Sequence, residues 1–340
     1  MSYTIDELDI KNDSEEEQIR SRTIFENLKA KAVKGEILTE YEKDFFCQGV
    51  KLSQLDDGKI EDYDCCSDFK FKILYLTYFH NLSGNGKYEK PKGTSLYTPT
   101  AGEVQSDITF LKKVAQSWRM TVEKTNHSET MLQNISTETR YELKHIEDKK
   151  GWLLFRAEKE RYQLNILKTL LQSKYIYHKA TKMFERFDNE DFVINLNGQD
   201  IEIDEASIVH IMNRHYSQIT KANPTKSFHN EDFEPQYLNK QLKEIFHSID
   251  SSGLYKGQQL DRIAFKYRGT NYVIWIKKRT KQIKGKGNIE FHHLETFYPL
   301  DDEVELRNLE KDFAFKTIND MLGVYIKKED NGIGYHQKAS

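Results

Sequence analysis

The sequence has few cysteines and no long apolar run. Cys47, Cys65 and Cys66 are the three cysteines among 340 residues, and no cysteine or histidine pair completes a zinc site around them. Three thiols cannot build a disulfide framework, so we expect them to be free and reduced. No apolar stretch reaches the about 18–20 residues that a membrane span needs. The first seventeen residues are acidic, whereas a secretory signal starts basic and then becomes apolar. These absences predict a cytoplasmic protein with no membrane partner.

Proline is scarce as well, with five residues in the chain, and a background rich in Glu, Lys and Leu favours helix. Aromatic residues make up 12% and hydrophobic residues 37% of the chain, which is too much apolar side chain for a disordered protein. Since a domain usually takes about 100–200 residues, 340 residues provide for two. The sequence predicts a folded, two-part protein.

Residues 1–101 are predicted to be mainly helical. Thr39 and Glu42 have the spacing of a capping box at the start of a short helix. The compact apolar block Phe69–His80 predicts a buried helix. Residues 81–101 are rich in Gly, Asn, Pro, Ser and Lys, a composition typical of a loop.

Residues 102–187 carry apolar stripes at helical spacing and predict long helices that pack as a bundle or an antiparallel pair. Near Asp188 the apolar spacing changes to alternation around an Asn-Gly pair, which is a hairpin signal. A second alternating stretch, Arg262–Lys278, crosses a turn at 268–271, and residues 289–298 predict a further strand.

These patterns predict an α+β protein. We expect a mainly helical N-terminal region, followed over 188–302 by a small α+β domain. Its two helices are predicted to cover one face of an antiparallel sheet. Residues 303–340 are predicted to form a C-terminal helix and a flexible tail.

The net charge of −3 conceals a local basic excess. Residues 251–300 hold ten Lys or Arg against three Asp or Glu side chains. Such a stretch favours a polyanionic partner. The candidate nucleic-acid contacts are Lys278, Arg279, Lys281, Lys284 and Lys286.

Six of the eleven histidines lie between residues 192 and 299, the span that also holds this basic excess, namely His210, His215, His229, His247, His292 and His293. Cleavage of RNA without a metal needs a general base, a general acid and a cation for the charge that develops on phosphorus. Histidine suits the first two roles, and Lys or Arg suits the third. His210 and Arg214 are four residues apart and share one face of a helix, while His292 and His293 face opposite sides of a strand.

Several segments together resemble one nuclease group. The motif HIMNRHY, an amphipathic helix, a hairpin with YVIWIKKR, a basic turn and a strand ending in LETFYP follow one another over about residues 192–302. This order resembles the phage-associated branch of the barnase/EndoU/colicin/RelE-like nucleases. The resemblance implies a metal-independent ribonuclease without cofactor, used as a toxin or in conflict between phage and bacteria. Its implied partners are RNA and a cognate inhibitor protein.

The resemblance also implies site residues and their roles. A histidine of the helix acts as general base or acid, an arginine and a lysine bind phosphate, and a threonine and a tyrosine of the last strand orient the scissile group. The matching positions are His210, Arg214, His215, Lys277, Thr296 and Tyr298. The sequence departs from the family pattern in the insert ITKANPTKSFHNEDFE and in the His292–His293 pair, so the acid and base remain unassigned.

Three metal-dependent alternatives fit less well. A restriction-like core needs an acid and then a Glu/Asp-x-Lys triplet on adjacent strands. Asp261 and Lys266 are present, but the strand YVIWIKK has no acid. His210 and His215 are five residues apart, whereas a helical pair on one zinc ion is three or four apart.

A ββα-metal nuclease would use His292 and His293 with a downstream Asn and His. Asn308 is available, but the next histidine is His336 near the end of the chain. The segment Lys284–Gly287 lacks the spacing and the terminal Ser/Thr of a phosphate-binding loop and is interpreted as a basic turn.

The main alternative to an enzyme is a nucleic-acid-binding or phage-structural protein. It would use the basic 251–300 stretch, with Tyr267, Tyr272 and Trp275 as stacking side chains. Because Tyr272 and Trp275 differ in parity along the strand, they cannot both face the core.

Residues 1–187 contain no catalytic motif. For this half we predict a sensor, delivery or self-inhibition role, because a nuclease must be restrained in its own cell. Its removal should then change toxicity or the cleavage rate.

Overall fold

The structure is a computed structural model that describes residues 2–11, 13–33, 36, 38–39, 41–42, 45–46, 69–78, 88–92, 95–148, 156–216, 227–229, 232–283 and 287–328. The chain divides into two compact units. The first consists of residues 1–187 and 208–222, and the second of residues 188–207 and 223–340.

The first unit is mainly helical, as predicted. Its described elements are α1 (Ile5–Leu8), α2 (Glu15–Val33), α3 (Phe69–Tyr78), β1 (Lys90–Lys92), β2 (Ser95–Tyr97), α4 (Ala101–Val122), α5 (Thr130–Glu147) and α6 (Arg156–Arg186). The next helix, α7 (Glu205–His215), belongs to this unit from Ile208 onward. None of the helices in the described ranges combines the length and the apolarity that crossing a membrane requires.

Helices α4, α5 and α6 contact one another and form the predicted helical packing. Leu111 and Trp118 of the predicted apolar stripe are buried. The Trp118 Nε1–H donates to Ser173 Oγ at 3.0 Å, and Ser173 Oγ lies 2.5 Å from Thr139 Oγ1. Because each of these three buried side chains has a partner, none of them incurs the cost of an unsatisfied hydrogen-bonding group.

Two local predictions for the first hundred residues are confirmed and one is wrong. The Thr39 N–H donates to Glu42 Oε2 at 2.8 Å and the Glu42 N–H donates to Thr39 Oγ1 at 3.3 Å, which is a capping box. The predicted buried helix is α3, with Phe71 in the core. Residues 81–101, predicted as a loop, contain the antiparallel pair β1–β2; residues 81–87 and 93–94 lie outside the described residues.

The second unit is built on one seven-stranded sheet. Its elements are β3 (Val193–Leu196), β4 (Gln199–Glu202), α8 (Leu238–Ser251), β5 (Arg262–Tyr267), β6 (Thr270–Ile283), β7 (Gly287–Pro299), α9 (Glu303–Asp312), β8 (Phe313–Thr317) and β9 (Leu322–Lys327). The strand order is β3-β4-β7-β6-β5-β9-β8. The chain is therefore α+β, as predicted.

The sheet differs from the prediction in three ways. It is mixed rather than antiparallel, because β4 pairs in parallel with β7 at Ile201–His292 and Glu202–His293. Helices cover both faces: Phe246 of α8 contacts Phe265 on one face, and Leu309 of α9 packs against the other. Residues 313–327 form two strands of the sheet instead of a flexible tail.

Two predicted hairpins are present, and their turns explain them. Asn197 and Gly198 both have positive φ, at 55° and 71°, between β3 and β4. Arg268 and Gly269 have φ of 47° and 88° between β5 and β6. Two consecutive residues with positive φ form a turn whose twist matches that of paired strands.

Strands β6 and β7 extend beyond their neighbours. β5 pairs with β6 only as far as Trp275, and β4 pairs with β7 at His292 and His293. Residues 279–283 and 287–291 pair with each other, and in the described part of the chain no third strand joins them. We call this two-stranded extension the ribbon.

Candidate nucleic-acid interface

The six residues implied by the nuclease resemblance are divided between the two units. His210, Arg214 and His215 are on α7 in the first unit. Lys277, Thr296 and Tyr298 are on β6 and β7 in the second. Each set therefore has its own surroundings.

On α7, His210 and Arg214 face two carboxylates of α5. His210 Nδ1 lies 3.7 Å from Glu138 Oε1, and Arg214 Nη2 lies 3.5 Å from Glu138 Oε2 and 3.9 Å from Glu142 Oε1. The interaction with His210, aided by the charge of Arg214, holds the pKa of Glu138 below its usual value against the effect of burial. The ring centroids of His210 and His215 are 6.4 Å apart. Two imidazoles and a guanidinium thus lie together, next to carboxylates that sequence reasoning missed.

On the sheet, Lys277 is bound to a carboxylate of the adjacent strand. Lys277 Nζ lies 3.0 Å from Glu295 Oε1, and Arg279 Nη2 lies 2.7 Å from Glu295 Oε2. The strand register shifts between Trp275 and Ile276, so Glu295 is an extra residue in a β-bulge. Burial opposes ionisation of Glu295, but the hydrogen bonds from Lys277 and Arg279 outweigh it and hold its pKa below the usual value.

His293 is buried in a polar network beside this bulge. Its side chain is 2% exposed, with Nε2 at 2.8 Å from Asp204 Oδ1 and at 3.1 Å from Ser207 Oγ, and Nδ1 at 3.5 Å from Glu295 Oε2. The Ser207 hydroxyl donates to the carbonyl oxygen of Leu294. The Asp204 carboxylate accepts the Ser207 N–H at 2.9 Å, as an N-cap residue does.

This network has the residue types of a Ser-His-Asp triad but not its geometry. In a triad the serine and the aspartate bind opposite nitrogens of the imidazole. Here Ser207 and Asp204 approach the same nitrogen of His293, and Ser207 is fully buried. The network therefore joins the start of α7 to β7 and offers no nucleophile. In the described ranges no group of three or more His, Cys, Asp or Glu side chains could hold a metal ion.

Tyr298 belongs to a cluster around Trp275. The Trp275 Nε1–H donates to Tyr298 Oη at 3.2 Å, and the Tyr298 hydroxyl donates to Glu305 Oε1 at 2.9 Å. Arg262 Nη2 lies 3.2 Å from the same Glu305 oxygen, and the guanidinium carbon lies 5.2 Å from the centre of the Trp275 ring. Burial, together with the hydrogen bond to Glu305, raises the pKa of Tyr298. Thr296 pairs with Trp275 across the two strands.

The parity argument for the aromatic residues is confirmed. Tyr272 is fully buried in an aromatic core with Phe265 and Phe297, whereas Trp275 is 37% exposed. His229 belongs to the same core, since it is buried and its ring stacks on Tyr272.

Of the five predicted nucleic-acid contacts, Lys278 and Arg279 have described side chains, and both lie at the start of the ribbon. Lys278 adjoins it with a side chain that is 68% exposed and 3.7 Å from Glu290 Oε2, and Arg279 is its first residue. Lys281 lies on β6, but its side chain is not among those described, and Lys284 and Lys286 lie outside the described residues.

The comparisons with protein-family models, curated proteins and solved structures found no match to this chain. The resemblance to barnase-like nucleases therefore rests on the sequence motifs and remains a prediction.

Proposed function

We propose that the chain binds nucleic acid through the ribbon and the adjoining face of β6. The observation that carries the proposal is the two-stranded antiparallel extension of β6 and β7, a pair of strands whose sequence, together with the residues between them, has a basic excess. Residues 270–299 hold six Lys or Arg and two Glu side chains, and the described part of the ribbon has no third strand.

The dimensions of the ribbon also support the binding of nucleic acid. Five residue pairs span about 17 Å at about 3.4 Å per residue, and paired strands lie about 4.8 Å apart. A two-stranded ribbon of this size can lie along a nucleic-acid backbone or enter a duplex groove about 12 Å wide. Cations on such a ribbon release counterions from phosphates on binding, which is the main source of affinity for nucleic acids.

The experiment is a salt titration of the full chain with a labelled oligonucleotide. The double variant Lys278→Ala/Arg279→Ala should bind more weakly, and the slope of log K against log salt should become shallower by about 1.5, for two lost phosphate contacts. The matched control is Lys240→Ala/Lys243→Ala, which removes two exposed lysines of α8 that pair with Asp191 in the same unit. If both double variants weaken binding equally, or the wild type does not bind, the proposal is wrong.

The second candidate function is the metal-independent cleavage of RNA by transesterification at α7. It is supported by the 6.4 Å separation of the His210 and His215 rings with Arg214 on the same helix, since a base, an acid and a cation are the groups that this reaction needs. An enzyme of this kind would be cytoplasmic, with RNA as substrate and a cognate inhibitor protein as partner.

This candidate predicts cleavage of cellular RNA by the full chain in excess EDTA, with 2′,3′-cyclic phosphate or 3′-phosphate ends. His210→Ala/His215→Ala should lower the rate roughly 10²–10⁴-fold, the usual contribution of general acid–base catalysis. The control variant is His247→Ala on the exposed side of α8. RNA left intact by a folded wild-type chain would exclude the candidate without affecting the binding proposal.

A further inference from the structure

Trp275 is an exposed aromatic side chain that is nevertheless held in place. Its indole N–H is bound by Tyr298, and one ring face lies against the Arg262 guanidinium at 5.2 Å. Arg262 and Tyr298 are in turn both fixed by Glu305. One ring face and the polar edge thus contact protein groups, while 37% of Trp275 remains exposed.

The exposed ring lies in line with the cations at the start of the ribbon. Every second residue of a strand projects from the same side of the sheet, at intervals of about 7 Å. On β6, this holds for Trp275, Lys277 and Arg279. Lys277 and Arg279 both reach Glu295 on this side. One strand thus presents an aromatic surface followed by two cations.

We infer that this face of β6 binds a single-stranded segment of nucleic acid, with one base stacked on Trp275 and the adjoining phosphates bound by Lys277 and Arg279. The inference rests on the proposed nucleic-acid binding and adds the strandedness of the ligand and the residue that recognises it. A free base of any type can stack on a fixed indole, whereas a duplex would first have to unstack one. Phosphates would take the place of the Glu295 carboxylate at the two cations.

The experiment compares a short labelled oligothymidylate with a blunt duplex of equal length, each titrated with the full chain. Trp275→Ala should weaken binding of the single strand roughly 5- to 100-fold, the usual effect of losing one base–aromatic stack, and should leave binding of the duplex unchanged. The matched control is Phe315→Ala, because Phe315 is a similarly exposed aromatic residue on the edge strand β8 of the same sheet. Binding of the single strand should be the same for this control as for the wild type.

A second measurement covers the case in which Trp275→Ala does not fold. Oligothymidylate should quench the tryptophan fluorescence of the wild type, and Trp275→Phe, which keeps a ring in place, should abolish this quenching. Quenching that persists in Trp275→Phe, or duplex binding as tight as single-strand binding, would overturn the inference and leave the proposed function intact. Absence of binding to either oligonucleotide would overturn both.

Discussion

Glu295 is placed so that its removal should weaken the fold and strengthen binding. Its carboxylate accepts from Lys277 at 3.0 Å and from Arg279 at 2.7 Å. Both cations are partly in water, with side chains 64% and 43% exposed, so each pair should contribute about 0.2–1 kcal/mol to stability. We therefore expect Glu295→Gln to lower the free energy of unfolding by about 1 kcal/mol.

The effect on binding has the opposite sign because the same carboxylate repels phosphate. Two unit charges 4–8 Å apart in a water-like medium interact by about 0.5–1 kcal/mol. Removing the charge of Glu295 should therefore raise the affinity for an oligonucleotide about two- to fivefold at low salt, and the gain should vanish at high salt.

The dependence on pH follows from the lowered pKa of Glu295. Because the carboxyl has a lower pKa in the folded chain than in the unfolded chain, the unfolded chain binds more protons at pH values between the two pKa values. The stabilisation is complete above the ordinary pKa of glutamate and is lost as the pH falls through the lowered pKa. The difference in the free energy of unfolding between wild type and Glu295→Gln should therefore become smaller as the pH is lowered.

The assays are urea unfolding followed by circular dichroism and oligonucleotide binding by fluorescence anisotropy. Glu290→Gln is the control, because it removes a carboxylate of the same strand whose pair with Lys278 is 3.7 Å long and 68–72% exposed. It should leave the unfolding midpoint unchanged and raise affinity less than Glu295→Gln. Weaker binding by Glu295→Gln would refute the reasoning, because Glu295 would then be holding Lys277 and Arg279 in their binding positions.

Two further predictions concern stability. A Cβ added at Gly323 would lie 2.6 Å from Phe315 Cε2 and 2.8 Å from the carbonyl oxygen of Lys316, so Gly323→Ala should lower the unfolding midpoint by the equivalent of about 1–3 kcal/mol. Gly102→Ala on α4, where a Cβ meets nothing within 4 Å, should be neutral or stabilising; equal midpoints for the two variants would contradict this. Asp204→Ala removes a helix cap and should cost about 1 kcal/mol or more in urea unfolding, and a midpoint equal to that of wild type would show that the cap is dispensable.

Local signals in the sequence were sufficient to predict the helices and two hairpins. Both residues of the Asn197–Gly198 turn and of the Arg268–Gly269 turn have the positive φ that tight hairpin turns need. Such turns can be predicted from the local sequence alone. The apolar stripe of α4 is similarly local, since it repeats every helical turn.

The parallel pairing and the divided site could not be predicted in this way. The pair Ile201–His292 joins strands about ninety residues apart, and no periodicity within either strand specifies its partner. The bulge at Glu295 exists only because β6 opposes it in that register. The assignment of β7 and of α7 from Ile208 onward to different units is also a property of long-range packing, whereas the nuclease resemblance depended on their order along the chain.

The ion pairs within the basic stretch change how its cations can bind an anion. Net charge along the sequence treats Lys277 and Arg279 as two available cations, but in the fold they share one carboxylate. A protein with freely exposed cations would bind any polyanion, whereas here an anion must compete with Glu295. Only a ligand that gains a second interaction at the same time can do so efficiently, and the exposed ring of Trp275 on the same side of β6 offers that interaction. Selectivity for a base-bearing single strand over other polyanions, such as heparin, would then arise from the carboxylate as much as from the cations.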